Sequence, residues 1–166
     1  MHVFHGEEMK VTAALAAAAL TLFSAGCGSG SSTGGLDAEA SYTVGLTQAN
    51  EVPTPKPSSA TGTAQLIVYP NSIDYQVAAS SITSVTMAHI HNGAPGIAGP
   101  IVATLYNNPT APISPNGVFA SGTLTDANLA AGTTLASLKA LIAAGNAYVN
   151  IHTTLNPNGE IRGQIK

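Results

Sequence analysis

Thr63-Ala64-Gln65-Leu66-Ile67-Val68-Tyr69, then Pro70-Asn71, then Ser72-Ile73-Asp74-Tyr75-Gln76-Val77-Ala78 is the stretch on which the fold turns. Ala64, Leu66 and Val68 occupy every second position of the first run, and Ile73, Tyr75 and Val77 do the same in the second. A period of two is that of a half-buried strand, because successive side chains leave opposite faces of the pleat. Pro70-Asn71 carries turn chemistry, so the two runs predict an antiparallel hairpin.

The same alternation marks residues 40–46 upstream and residues 85–91, 101–106, 118–123, 147–154 and 160–165 downstream. That makes about eight short strands. Pro53, Pro55 and Pro57 lack the amide hydrogen a ladder needs, so the connection between the first two strands is expected to run extended and unpaired. One segment breaks the pattern. Leu135, Leu138, Leu141 and Ile142 repeat at helical spacing, with Thr134 placed as an N-cap and Gly145 just past the end. Among 166 residues there are 17 Gly, 10 Pro and no Trp, a composition of strands and tight turns. With 45% hydrophobic residues the chain can fill one core. The expected fold is therefore all-β: a Greek-key antiparallel β-sandwich of about eight strands with one short helix.

Charge narrows the partners. Five Lys and Arg against eight Asp and Glu give a net charge of -3, which leaves no basic surface to neutralise phosphates and excludes nucleic acid as the main partner. At the N-terminus, residues 11–23 are uncharged and rich in Ala and Leu, too short to span a bilayer but suited to the apolar region of a signal peptide. Lys10 precedes that region, whereas Glu7 and Glu8 do not belong before an export signal, so Met9 is the expected initiator. Ser24-Ala25-Gly26-Cys27 sets small residues before the lone cysteine. The pattern resembles the lipobox of bacterial lipoproteins, with Ser24 where Leu is usual, and implies that Cys27 is acylated. The bland alternative is a small residue near a simple cleavage site. The expected organisation is a signal peptide over residues 1–26, lipidated Cys27 with a Gly/Ser tether over residues 27–36, and a domain over residues 37–166. The partner this implies is the membrane, reached through a lipid anchor, and the location is the cell envelope, or outside the cell if the chain is not lipidated.

The chemical signal lies in three histidines. In Ala88-His89-Ile90-His91 both imidazoles leave one face of a strand and Ala88 and Ile90 the other. In Tyr148-Val149-Asn150-Ile151-His152-Thr153-Thr154, Val149 and Ile151 lie opposite Asn150, His152 and Thr154. In the last strand Ile161 and Ile165 lie opposite Glu160, Arg162 and Gln164. If these strands are neighbours, His89, His91, His152, Glu160 and Arg162 form one cluster, with Asn150 beside it. Three imidazoles suit copper or zinc. The alternative is a polar network in which each ring donates to a backbone carbonyl or to Glu160. Arg162 disfavours a cation unless Glu160 lies between them. Glu51, at the end of the first strand, reads as a solvated loop acid. No nucleophile elbow, phosphate loop or paired carboxylates appear, so no catalytic residue is assigned.

Four separated motifs carry a family likeness: Gln48-Ala49-Asn50-Glu51-Val52-Pro53, Ala88-His89-Ile90-His91, Tyr148-Val149-Asn150-Ile151-His152-Thr153 and Gly159-Glu160-Ile161-Arg162-Gly163-Gln164-Ile165. In this order, from about Ser41 to Ile165, the sequence resembles the CHRD domain family. The resemblance implies an extracytoplasmic β-sandwich serving as a binding or structural module, of unsettled protein or small-molecule ligand and without established enzymatic activity. The family is named for chordin, a binder of bone morphogenetic proteins, and that partner is not carried over to a chain with a bacterial type of leader. The His-x-His strand and the glycine turn after it are also similar to the metal-binding strand of copper/zinc superoxide dismutases. The further histidines and the aspartate of a two-metal site are absent here. Two functions stand: a lipid-anchored module with no reaction of its own, or a mononuclear copper or zinc protein using His89, His91 and His152.

Overall fold

A computed structural model describes residues 37–166. The expected signal peptide, Cys27 and nearly all of the tether lie outside the described residues. Eight strands follow one another as β1 (Ala40–Thr47), β2 (Thr61–Tyr69), β3 (Ser72–Ser80), β4 (Val85–Asn92), β5 (Ile101–Asn107), β6 (Gly117–Leu124), β7 (Ala147–Thr153) and β8 (Ile161–Gln164), with one helix, α1 (Leu135–Ala143), before β7. Every strand expected from alternation is present, its ends moved by no more than two residues. The hairpin of β2 and β3 has the register Tyr69↔Ser72, Leu66↔Tyr75 and Thr61↔Ser80.

All pairings are antiparallel, in the order β5-β4-β7-β8-β1-β2-β3-β6. Pairing of β1 with β8, β3 with β6 and β4 with β7 is Greek-key connectivity, since each pair is distant in sequence. β1 and β8 share only Thr47↔Arg162, and there the sheet folds into two four-stranded layers. At the far edge the layers approach again. The Tyr75 hydroxyl on β3 donates to the Leu105 carbonyl on β5 at 2.9 Å, and Tyr106 on β5 packs edge-on against Phe119 on β6 with ring centres 5.4 Å apart. The sandwich is thus nearly closed into a barrel.

Leu46, Leu66, Ile73, Val77, Ile90, Val149, Ile151 and Ile161 meet in one apolar core. Helix α1 adds Leu135, Leu138 and Ile142 to it, with Leu141 at the margin. Its start is a reciprocal cap: Thr134 Oγ1 accepts from the Ser137 amide at 3.1 Å and Ser137 Oγ from the Thr134 amide at 2.9 Å. Gly145 follows the helix at φ +69°, the left-handed conformation that ends helices.

The other side of the β4–β7–β8 layer is also covered. All seven residues of β7 are buried, although only alternate ones face the core. Loops cover the rest. From residues 48–60, Asn50 Nδ2 reaches the Arg162 carbonyl at 3.3 Å. From residues 93–100, the Ala94 carbonyl accepts from Arg162 Nη2 at 3.0 Å and the Gly93 carbonyl from Gln164 Nε2 at 2.8 Å. The loop of residues 154–160 is pinned to the first by Asn156, whose Oδ1 accepts from the Lys56 amide at 2.7 Å and whose Nδ2 donates to the Lys56 carbonyl at 3.2 Å. A polar layer is thereby sealed under loops, one backbone thickness away from the apolar core.

Candidate metal centre

Register arranges this layer as a grid. Met87 lies opposite His152, His89 opposite Asn150 and His91 opposite Tyr148; beyond β7, Asn150 faces Arg162 and Tyr148 faces Gln164. The strands carrying His89, His91 and His152 are therefore adjacent, and their imidazoles share a face. His89, His91 and His152 are 4%, 7% and 6% exposed, and one ring nitrogen of each lies within 4.8 Å of the other two. Ligands about 2.0 to 2.1 Å from a tetrahedral ion stand roughly 3.3 Å apart, so closing on an ion requires the rings to draw together by up to about 1.5 Å.

The hydrogen bonds fix most of the tautomers. His91 Nδ1–H donates to the Gly99 carbonyl at 2.8 Å and His152 Nδ1–H to the Pro157 carbonyl at 2.9 Å, which leaves both Nε2 atoms as bare acceptors. His152 Nε2 accepts a hydrogen bond from His89 Nδ1–H at 3.0 Å. His91 Nε2 is buried and has no partner. A backbone carbonyl on the far nitrogen is the usual means of aiming a metal-ligating imidazole. Burial, aided by the neighbouring His152 and His91, pushes His89 down to about 4, and burial also lowers His91 and His152. All three rings are thus neutral at pH 7, the form that binds a cation.

The carboxylates depart from expectation. Glu160 does not face the imidazoles: its Oε2 accepts from Thr153 Oγ1 at 2.5 Å and Asn156 Nδ2 at 3.2 Å, so it braces the loop of residues 154–160. Glu51 is no solvated loop acid. It is 5% exposed, its Oε1 accepts from the Val52 amide at 3.0 Å, and burial raises its carboxyl above the usual range against the opposing pull of Arg162. The Pro-rich loop folds back over the sheet and carries Glu51 inward. The carboxyl group that Arg162 acts on is therefore that of Glu51. Arg162 itself is 1% exposed, lies over the Tyr148 ring at 3.4 Å and leaves Nη1 without a partner. Tyr148 also stacks on His91, with ring centres 4.9 Å apart and planes 5° from parallel. Tyr148 shares the strand parity of Asn150 and His152, the one sequence signal that points to its place on this face.

Fold and site together define an all-β Greek-key module whose sheet bears a sealed polar layer built round three imidazoles. Residues 42–165 match the family model of the CHRD domain, and the chain belongs to that family. No curated protein and no solved structure gives a significant match. Among the described residues no helix is long and apolar enough to cross a membrane.

Proposed function

We propose that this chain is an exported, lipid-anchored CHRD module that binds one divalent copper or zinc ion through His89, His91 and His152. The observation that carries the metal is the convergence of three neutral ring nitrogens within 4.8 Å, two of the rings aimed by backbone carbonyls. Three imidazoles leave one coordination position open, and their chemistry favours copper and zinc over hard cations. Anchoring is supported by the small residues before Cys27 and the Gly/Ser run after it. The role is capture or storage of the ion at the cell envelope.

Titration of the purified full chain with Cu²⁺ and Zn²⁺ tests the metal against a His91→Ala variant. His2 and His5 are common to both chains, so the difference isolates the cluster. One additional tight equivalent in the wild type is expected; identical titrations refute the site. For the anchor, a Cys27→Ala chain should leave the membrane fraction, and membrane partition equal to wild type refutes lipidation.

A further inference from the structure

Among the described residues four buried side-chain polar atoms have no hydrogen-bond partner: Glu51 Oε2, His91 Nε2, Asn150 Oδ1 and Arg162 Nη1. They belong to one neighbourhood. Asn150 stands between His89 and Arg162 in the strand register and is 2% exposed. A Cβ placed on Gly159 would collide with the Glu51 carboxylate and lie 2.8 Å from Asn150 Nδ2, so the amide nitrogen is on the Glu51 side. Gly159 has φ +127°, a conformation open to glycine, and the missing side chain is what gives these two groups room.

With its nitrogen towards a carboxylate, Asn150 presents its oxygen to the histidines. In the β4–β7 register Asn150 lies opposite His89 and two residues from Tyr148, the partner of His91. His91 Nε2 is bare because Nδ1 holds the proton bound to Gly99. Two buried acceptors, Asn150 Oδ1 and His91 Nε2, are left with no donor, and each carries an uncompensated desolvation penalty. Turning the amide over would only aim its oxygen at Glu51. A cation satisfies both lone pairs at once.

Resting on the metal reading above, we propose that Asn150 Oδ1 is the fourth ligand of the ion, making the site three nitrogens and one oxygen. Glu51, held behind the Asn150 nitrogen, keeps that nitrogen turned away from the ion and so aims the amide oxygen at it. An oxygen donor in the fourth place suits Zn²⁺ and Cu²⁺ and disfavours Cu⁺, which takes soft ligands. The competing donor is the Met87 thioether: Met87 lies opposite His152, is half-buried and takes no part in the apolar core.

The test loads the full chain with Zn²⁺ or Co²⁺ alone and compares wild type with Asn150→Ala, Asn150→Asp and Met87→Leu. Affinity is read by chelator competition and coordination by the visible absorption of bound Co²⁺. Asn150→Ala should bind Zn²⁺ at least about tenfold more weakly and alter the Co²⁺ spectrum. Asn150→Asp, which keeps an oxygen in place, should bind at least as tightly as wild type, and Met87→Leu should change neither readout. Equal affinity and spectra for wild type and Asn150→Ala overturn the oxygen ligand, as does a spectrum that responds to Met87→Leu instead. If Asn150→Ala does not fold, Asn150→Asp decides: a spectrum moved by the anionic oxygen supports ligation, and an unmoved one overturns it. These failures leave the three-histidine site standing, whereas a wild-type chain that takes up no ion removes both.

Discussion

Arg162 and Glu51 allow the charge balance of the polar layer to be measured directly. Arg162→Met keeps most of the stem's volume but strips the bond to the Ala94 carbonyl and the stack on Tyr148, and it leaves the Glu51 carboxylate uncompensated. Losing a hydrogen bond from a charged donor together with that stack costs about 2 to 4 kcal/mol. Stability of about 0.05 to 0.15 kcal/mol per residue gives a domain of this size a reserve of roughly 6 to 20 kcal/mol, so the variant should still fold. Glu51→Gln discards a charge whose burial already opposes its ionisation, for a cost of about 1 to 2 kcal/mol. No ion pair joins the two residues among the described ones, so their coupling acts across a gap; beyond an ion pair's reach of about 4 Å, at an effective dielectric near 20, it amounts to less than about 4 kcal/mol. The double variant should therefore be less destabilised than the sum of the singles by about 1 to 3 kcal/mol. Urea unfolding of the metal-free chain at pH 7, followed by far-UV circular dichroism, gives the cycle. Additivity within about 0.5 kcal/mol would show that Glu51 does not balance Arg162 and would refute the charge assignment.

Ile151, fully buried opposite Ala88 and Ile161, should cost about 2 to 5 kcal/mol when cut to Ala; a loss within error in the same urea assay would contradict the β7 register. For pH, His89 is held at about 4 against an ordinary 6.5, so its neutral form belongs to the folded state. As pH falls below 6.5 the unfolded chain takes up the proton first, and stability drains away until the folded pKa is reached near 4. The urea midpoint of the metal-free chain should drop across that window, and less in His89→Gln. Glu51, raised by burial, works in the reverse direction, losing stability as pH rises past its ordinary value, and is common to both chains. Equal slopes in the two chains would contradict the neutral-histidine site.

The strands were legible because alternation is a local property, and so was the sidedness of His89, His91 and His152. Their convergence needed one more step, that β4 and β7 pair across some sixty residues, and only the likeness of their patterns suggested it. Loop acids were illegible. Whether Glu51 meets water depends on where a proline-rich connection lands, and nothing within Gln48 to Pro53 states that the loop closes over Asn150. Glu160 misled for the opposite reason: its strand parity is right, but Thr153 and Asn156, close by in sequence, capture its carboxylate. The helix was read from its spacing and caps, with Leu141 less buried than the stripe implied.

Because β7 is shielded on both sides, by the apolar core beneath and by loops above, water reaches its amide protons only when the whole sandwich comes apart. Its hydrogens should be among the last in the chain to exchange with deuterium. The backbone that fixes Asn150 and His152 is then also the backbone that survives longest. Loop sequences facing outward are free to drift, and the spacing of the imidazoles drifts only with the fold.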